Sequence, residues 1–250
     1  MDIFKGLLKE LDAGKCCVLA TVVEKSGDGP VVLGGKILLS SSGTRYGTIG
    51  GGALEAGIIK TCQRIMASGE NQMLIYDLSD CGGSAKIFYE YYEPNPSVLV
   101  FGAGNVGREV IKKLEGTGFK VAVIDPVCPT GIPYDSYYRD YHEVVQALIT
   151  PESYVVLATS SHETDYQVLK TIVQLPVLPK YLGMLASKKK RKELVQRLKD
   201  EVGKVPDALY SPIGLNLGGG TPAEIGIAIV AQIIAKKYAI NHVEDMSADD

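Results

Sequence analysis

No pair of cysteines stands at CxxC spacing in this 250-residue chain, and the five present, Cys16, Cys17, Cys62, Cys81 and Cys128, are scattered and odd in number. Finger- and ribbon-type zinc sites need ligand pairs at close spacing, so they are excluded. An unpaired set fits reduced thiols in a cytosol better than a disulfide framework. Basic charge is not in excess either. A formal net charge of -3 offers no electrostatic footing for nucleic acid. The N-terminus lacks a basic start followed by an apolar core, so no secretory leader is expected. The longest apolar stretch, Ile225 to Ala235, is too short to span a bilayer. Internal repeats, low-complexity tracts and tryptophan are absent. The expectation is a cytoplasmic protein without nucleic-acid or membrane partners.

What is present is concentrated in Val98 to Pro126. Val98-Leu99-Val100-Phe101 reads as a buried strand, and Gly102, Gly104 and Gly107 follow at GxGxxG spacing. A helix from Asn105 to Glu115 leads to a second apolar run, Val121 to Ile124, closed by Asp125. An acid about 20 residues beyond the glycines is the arrangement that meets a ribose in dinucleotide-binding units. Gly102 permits the tight turn, Gly104 lets the backbone approach a diphosphate, and Gly107 lets helix and strand pack closely. The helix start offers unpaired N–H groups and a positive dipole end.

Glu93-Pro94-Asn95-Pro96-Ser97 marks a boundary, because two prolines block both helix and sheet. The expected organisation is an α+β domain over 1–93, a linker over 94–97, a Rossmann-like domain over 98–243 and a loose acidic tail over 244–250. In the first domain a helix capped by Asp2 carries an apolar stripe of Phe4, Leu7, Leu8 and Leu11. Strands are expected over 16–23, 36–40, 45–49 and 72–78. A loop is expected over 26–30 and a helix over 53–67. Ala85, Ile87, Tyr89 and Tyr91 alternate with Lys86, Phe88, Glu90 and Tyr92, a strand with two different faces. In the second domain strands at 154–158 and near Tyr181-Leu182 alternate with helices at 164–173 and 188–199. Thr221, Pro222 and Glu224 announce a last helix, whose body is apolar on nearly every face and should be buried against the sheet. Alternating β and α implies a doubly wound parallel sheet with its ligand at the carboxyl ends of the strands.

Four further places could carry chemistry. Gly50-Gly51-Gly52 precedes a helix and could hold an anion. Glu55 in that helix's first turn either complements the dipole or accepts hydrogen bonds from a heterocycle. Asp80-Cys81-Gly82-Gly83 is a turn with an incidental thiol or an accessible sulfur. His162 and Asp165 stand on the carboxyl edge and could face a ligand, unless Thr164 or Asp165 merely caps the next helix. Lys188-Lys189-Lys190-Arg191-Lys192 opens a helix with cations, a solvated face or one compensated by an anionic ligand or acidic partner.

Taken in order, these pieces resemble the xanthine dehydrogenase accessory factors, the XdhC/CoxI family. The pieces are Ala20-Thr21-Val22-Val23, Gly47-Thr48-Ile49-Gly50-Gly51-Gly52 with Glu55, and Cys81-Gly82-Gly83. They continue with FGAGNVGREV from Phe101, His162 with Asp165, YLGMLASKKKR from Tyr181, and SPIGLNLGGGTPAEIGIAI from Ser211. The resemblance implies a non-catalytic chaperone that binds molybdenum cofactor (molybdopterin), protects it during sulfuration and helps deliver it to an apo molybdenum hydroxylase, with a cysteine desulfurase as second partner. A homodimer is compatible with this role. Implied pterin contacts are Gly50, Gly51, Gly52, Glu55 and Cys81. Gly102, Gly104, Asn105, Gly107 and Asp125 would bind NAD(P), another nucleotide or the nucleotide-bearing form of the cofactor, bordered by His162, Asp165 and Lys188. Many relatives carry Cys where this chain has Ala53, and His where it has Asn105, so metal contact from those places is not expected. The competing class is an NAD(P)-dependent oxidoreductase, with Asp125 on the ribose and His162 as acid or base.

Overall fold

A computed structural model describes residues 2–29, 31–50, 52–78 and 83–244. The chain divides into two units, Met1–Asn95 and Pro96–Asp250.

The N-terminal unit runs α1 (Ile3–Asp12), β1 (Cys17–Gly27), β2 (Lys36–Ser40), β3 (Arg45–Thr48), α2 (Gly52–Ser68), β4 (Gln72–Asp77) and β5 (Gly83–Tyr92). Its strands form one antiparallel sheet in the order β3-β2-β1-β5-β4. Central β1 is buried on both faces, which is why Cys17-Val18-Leu19-Ala20 is an unbroken apolar run. On one face Val18, Ala20, Ile37, Ile87 and Tyr89 pack with Ile58, Cys62 and Ile65 of α2. On the other, Cys17, Leu19 and Leu38 pack with Leu7 of α1.

Two expectations are corrected in this unit. Phe4 and Leu8 are 55% and 62% exposed, so they are not part of the buried stripe of α1. That helix instead turns Gly6, Leu7 and Glu10 inward, because Glu10 accepts a 2.8 Å hydrogen bond from the Tyr46 hydroxyl of β3. Ser26-Gly27 is strand, not loop. Ser26 and Gly27 pair with Ser84 and Gly83, and the Ser26 and Ser84 hydroxyls share a 2.9 Å bond.

The C-terminal unit begins with β6 (Ser97–Phe101), whose first residue, Ser97, pairs with Lys120. Then come α3 (Asn105–Leu114), β7 (Lys120–Ile124), β8 (Ser136–Tyr138), α4 (Tyr141–Leu148), β9 (Tyr154–Leu157) and α5 (His162–Val173). It ends with β10 (Tyr181–Met184), α6 (Lys188–Val202), β11 (Leu209–Tyr210) and α7 (Pro222–Lys237). All six strands are parallel, in the order β11-β10-β9-β6-β7-β8. This is the doubly wound dinucleotide-type order, which reverses between β6 and β9. Strand parity sorts the core. Leu99 and Phe101 face α4, α5 and α6, whereas Val98 and Val100 face α3 and α7.

The sequence reading does not anticipate β8, α4 or β11. It also overstates the burial of α7. The capping box forms as expected, with Thr221 and Glu224 bonded reciprocally and Pro222 in the first turn. Yet only Gly226, Ile229, Val230 and Ile233 are buried along the body, and Ile227 is 50% exposed. The helix is an outer layer that lies along α3, and Gly226 allows the approach. A Cβ there would come 2.9 Å from the Glu109 Cβ. Among the described residues no helix is long and apolar enough to cross a membrane.

Candidate functional site

Three loops at the carboxyl ends of β6, β7 and β9 interlock. Gly102 follows β6 at φ +99, and a Cβ there would lie 2.2 Å from the Ala158 carbonyl oxygen beyond β9. Gly107 sits in the first turn of α3, where a Cβ would lie 1.9 Å from the Gly102 carbonyl oxygen. Both are glycine for reasons internal to the fold. Gly104 is different. It is exposed at φ -71, and a Cβ would meet nothing within 4 Å. It is the N-cap of α3, and no side chain caps that end. The first-turn amides, beginning with exposed Asn105, have no acceptors within their own helix and open toward this space.

The two carboxylates on this edge work on backbone. Asp125, at the end of β7, accepts from the Ala103 amide through Oδ2 at 2.8 Å and from the Val127 amide through Oδ1 at 2.8 Å. Asp165 is 2% exposed and accepts from the Thr159 amide at 2.9 Å. Burial pushes its carboxyl above the usual range, opposed by the Thr159 hydrogen bonds and by the charge of His162. Neither Asp165 nor Thr164 caps α5. The cap is Ser161, whose hydroxyl accepts from the Thr164 amide at 3.1 Å. His162 is the exposed first residue of that helix. Gly102, Gly104, Asn105, Gly107, Asp125, His162 and Asp165 are thus gathered on the β6–β7–β9 edge.

Lys188 opens α6 on the same carboxyl edge, one strand further out, beyond β10. Lys188, Lys189, Lys190, Arg191 and Lys192 are exposed, and none forms an ion pair among the described residues. A helix start is an unfavourable place for uncompensated cations.

In the N-terminal unit Glu55 ties down the loop ahead of its own helix. Its Oε1 accepts from the Thr48 hydroxyl and from the Ile49 amide, the latter at 3.2 Å. The Thr48 bond, then the Ile49 and Gly50 amides, hold this carboxyl below its usual range against the opposing effect of burial. Gly52 adopts φ +54 with nothing within 4 Å of its would-be Cβ. Ile37, Arg45, Gly47 and Glu55 line a concavity of about 390 Å³. Gly51 and the Cys81-Gly82 pair lie outside the described residues. Burial raises two other thiols, Cys17 to about 11 and Cys62 to about 12, so both stay protonated. Among the described residues no three His, Cys, Asp or Glu side chains converge where they could hold a metal ion.

Sequence reading misses two participants. Thr159 presents the amide that Asp165 holds, and its signal was its place just past an apolar strand. Arg45 faces the N-terminal concavity, and the alternation in Arg45-Tyr46-Gly47 was the only hint.

Six parallel strands in this order, a glycine turn after β6 and a separate antiparallel unit ahead of them define a two-unit protein with a Rossmann domain. The family model described as the XdhC Rossmann domain matches residues 98–233, and that of the XdhC and CoxI family matches residues 10–77. The chain belongs to the XdhC and CoxI family. It is 27% identical over 256 residues to the uncharacterized protein YqeB of Escherichia coli K12, covering 95% of this chain and 46% of that protein. It is 28% identical over 165 residues to a probable xanthine dehydrogenase subunit of Bacillus subtilis 168, covering 63% of this chain and 48% of that one. The chain therefore spans about half the length of the curated relatives it matches. A crystal structure described as a xanthine dehydrogenase from Bacillus halodurans superposes with a TM-score of 0.52 at 20% identity, over 98% of each chain, and shows the same fold.

Proposed function

We propose that this protein is a cytoplasmic accessory factor for a molybdenum hydroxylase of the xanthine dehydrogenase type, which binds molybdenum cofactor and hands it to the apo-enzyme. Family membership supports an accessory role, and the Bacillus subtilis relative is itself named for xanthine dehydrogenase. The observation that carries the binding role is Gly104. Its neighbours demand no glycine, so its bare backbone and the uncapped start of α3 are suited to a phosphate-bearing guest. Gly102, Gly104, Asn105, Gly107 and Asp125 would hold a nucleotide or the nucleotide-bearing form of the cofactor, with His162, Asp165 and Lys188 at the border. Gly50, Gly51, Gly52, Glu55 and Cys81 would hold the pterin. The bound group supplies the metal chemistry of the hydroxylase, and the residues here bind and orient it. A cysteine desulfurase and the apo-hydroxylase are the partners this role requires.

The competing reading, an NAD(P)-dependent oxidoreductase, uses the same loop. One observation counts against it: among the described residues no hydrogen bond orients the exposed His162 imidazole for acid–base work. Anaerobic equilibrium binding of nucleotide-bearing molybdenum cofactor and of NAD(H), to the wild-type protein and to Gly104→Asp, separates the two. Cofactor binding weakened about tenfold or more in the variant, without NADH oxidation, is the expected result. Turnover of NAD(H) with a small substrate and no cofactor binding would overturn the proposal.

A further inference from the structure

The side of β3 that faces α2 carries a cation that has no ion-pair partner among the described residues. Tyr46 turns the other way. Its ring lies against Gly6 of α1 and its hydroxyl donates to Glu10. Strand alternation therefore sends Arg45 toward α2. Register agrees, because Arg45 pairs with Leu39, a member of the core shared with α2. Arg45 and Glu55 line one concavity, yet they form no ion pair. Among the described residues Arg45 makes no salt bridge or hydrogen bond, although its charge helps hold the Glu55 carboxyl down. The hydrogen bonds to Glu55 fall on Oε1 and fasten it to the Thr48-Ile49 loop. A fixed acceptor and a free guanidinium thus face one space of about 390 Å³, within the size range of small-molecule pockets.

We infer that Arg45 is the anion anchor of the N-terminal unit, and that the cleft it shares with Glu55 takes a phosphate monoester carried on a small nitrogen heterocycle. A guanidinium offers a planar fork of donors matched to phosphate oxygens. The carboxylate opposite accepts ring or amino N–H groups. A plain anion would use only the first partner and a neutral heterocycle only the second, so a ligand with both ends fits best. This rests on the cofactor-binding reading above and names the group that reading would fasten here.

The test uses full-length protein in the Gly104→Asp background, which removes the other candidate phosphate site. The probes are the fluorescent, air-oxidised, phosphate-bearing pterin derivative of the cofactor, the same pterin after phosphatase treatment, and inorganic phosphate. The phosphorylated pterin is expected to bind about tenfold or more tightly than the dephosphorylated one. Arg45→Gln should remove that advantage and leave the weaker affinity unchanged. Arg45→Lys, which keeps the charge but not the fork, should recover only part of it. If Arg45→Gln binds both pterins as its parent does, the assignment of Arg45 is overturned while the cofactor reading stands. If neither pterin binds but phosphate raises the melting temperature in an Arg45-dependent way, the anchor stands and the pterin reading falls. Absence of any binding in this background overturns the Arg45 anchor, and absence of cofactor binding to the wild-type protein as well overturns the cofactor reading.

Discussion

Gly104 and Gly107 are three positions apart and stand in opposite situations. A methyl group at Gly107 would collide with the Gly102 carbonyl at 1.9 Å, whereas one at Gly104 would meet open space. Gly107→Ala is expected to destabilise the Rossmann unit by about 1–3 kcal/mol. Gly104→Ala should stay within about 1 kcal/mol of wild type, as for loss of a glycine N-cap. Urea unfolding of the two variants checks this, and equal losses would contradict the geometry. Asp165 makes a second residue-scale prediction. Its folded pKa is raised by burial, so the native state holds a proton more firmly than the unfolded chain. The sign follows: its charged form is a burden fully present above the folded pKa and relieved as pH falls through that value toward the unfolded one. Asp165→Asn keeps an acceptor for the Thr159 amide and removes the buried charge. It should be neutral or stabilising at pH 7 and should flatten this part of the pH dependence. Asp165→Ala leaves that amide without its acceptor and should cost about 1–3 kcal/mol. Melting curves across the acidic range distinguish them, and an asparagine variant as unstable as the alanine one would refute the argument.

At the scale of elements, the contact between α3 and α7 depends on a residue that has no side chain. Leucine at Gly226 would place its first carbon 2.9 Å from the Glu109 Cβ and 3.2 Å from the Glu109 carbonyl carbon. Gly226→Leu should therefore lower stability by about 1–3 kcal/mol. Hydrogen exchange should locate the loss in α3 and α7 rather than in α5 and α6, which lie on the opposite face, and a uniform loss of protection would argue against this. These two helices also show what a sequence discloses. The start of α7 was legible because Thr221, Pro222 and Glu224 bond within one turn. Its buried stripe was not, because that depends on where α3 lies. The same holds for α1: its cap at Asp2 is local, whereas the exposure of Phe4 and Leu8 follows from a Glu10–Tyr46 bond across the unit. β8 and β11 are strands of three and two residues, too short to carry a period. α4 was signalled only by Asp140, which caps it.

Over the whole molecule, the Rossmann order could be expected from alternating strands and helices, because β6 and β7 are buried on both faces and read as continuous apolar runs. The residue types of the candidate site were equally visible. Their tasks were not. Glu55, Asp125 and Asp165 looked like groups awaiting a ligand, and each turns out to grip a main-chain amide of a loop at its own site. For Glu55 and Asp165 that loop is six or seven residues back. The Ala103 amide held by Asp125 is 22 residues away and reaches it only once β6 and β7 have paired. Arg45 was invisible for a related reason, since the face it occupies is decided by the hydroxyl of its neighbour. Those three grips have a kinetic meaning. Loops rich in glycine would ordinarily flicker between many shapes and have to be caught in the right one. Here the carboxylates fasten them in advance, so a guest at either place would not have to wait for that stretch of main chain to rearrange.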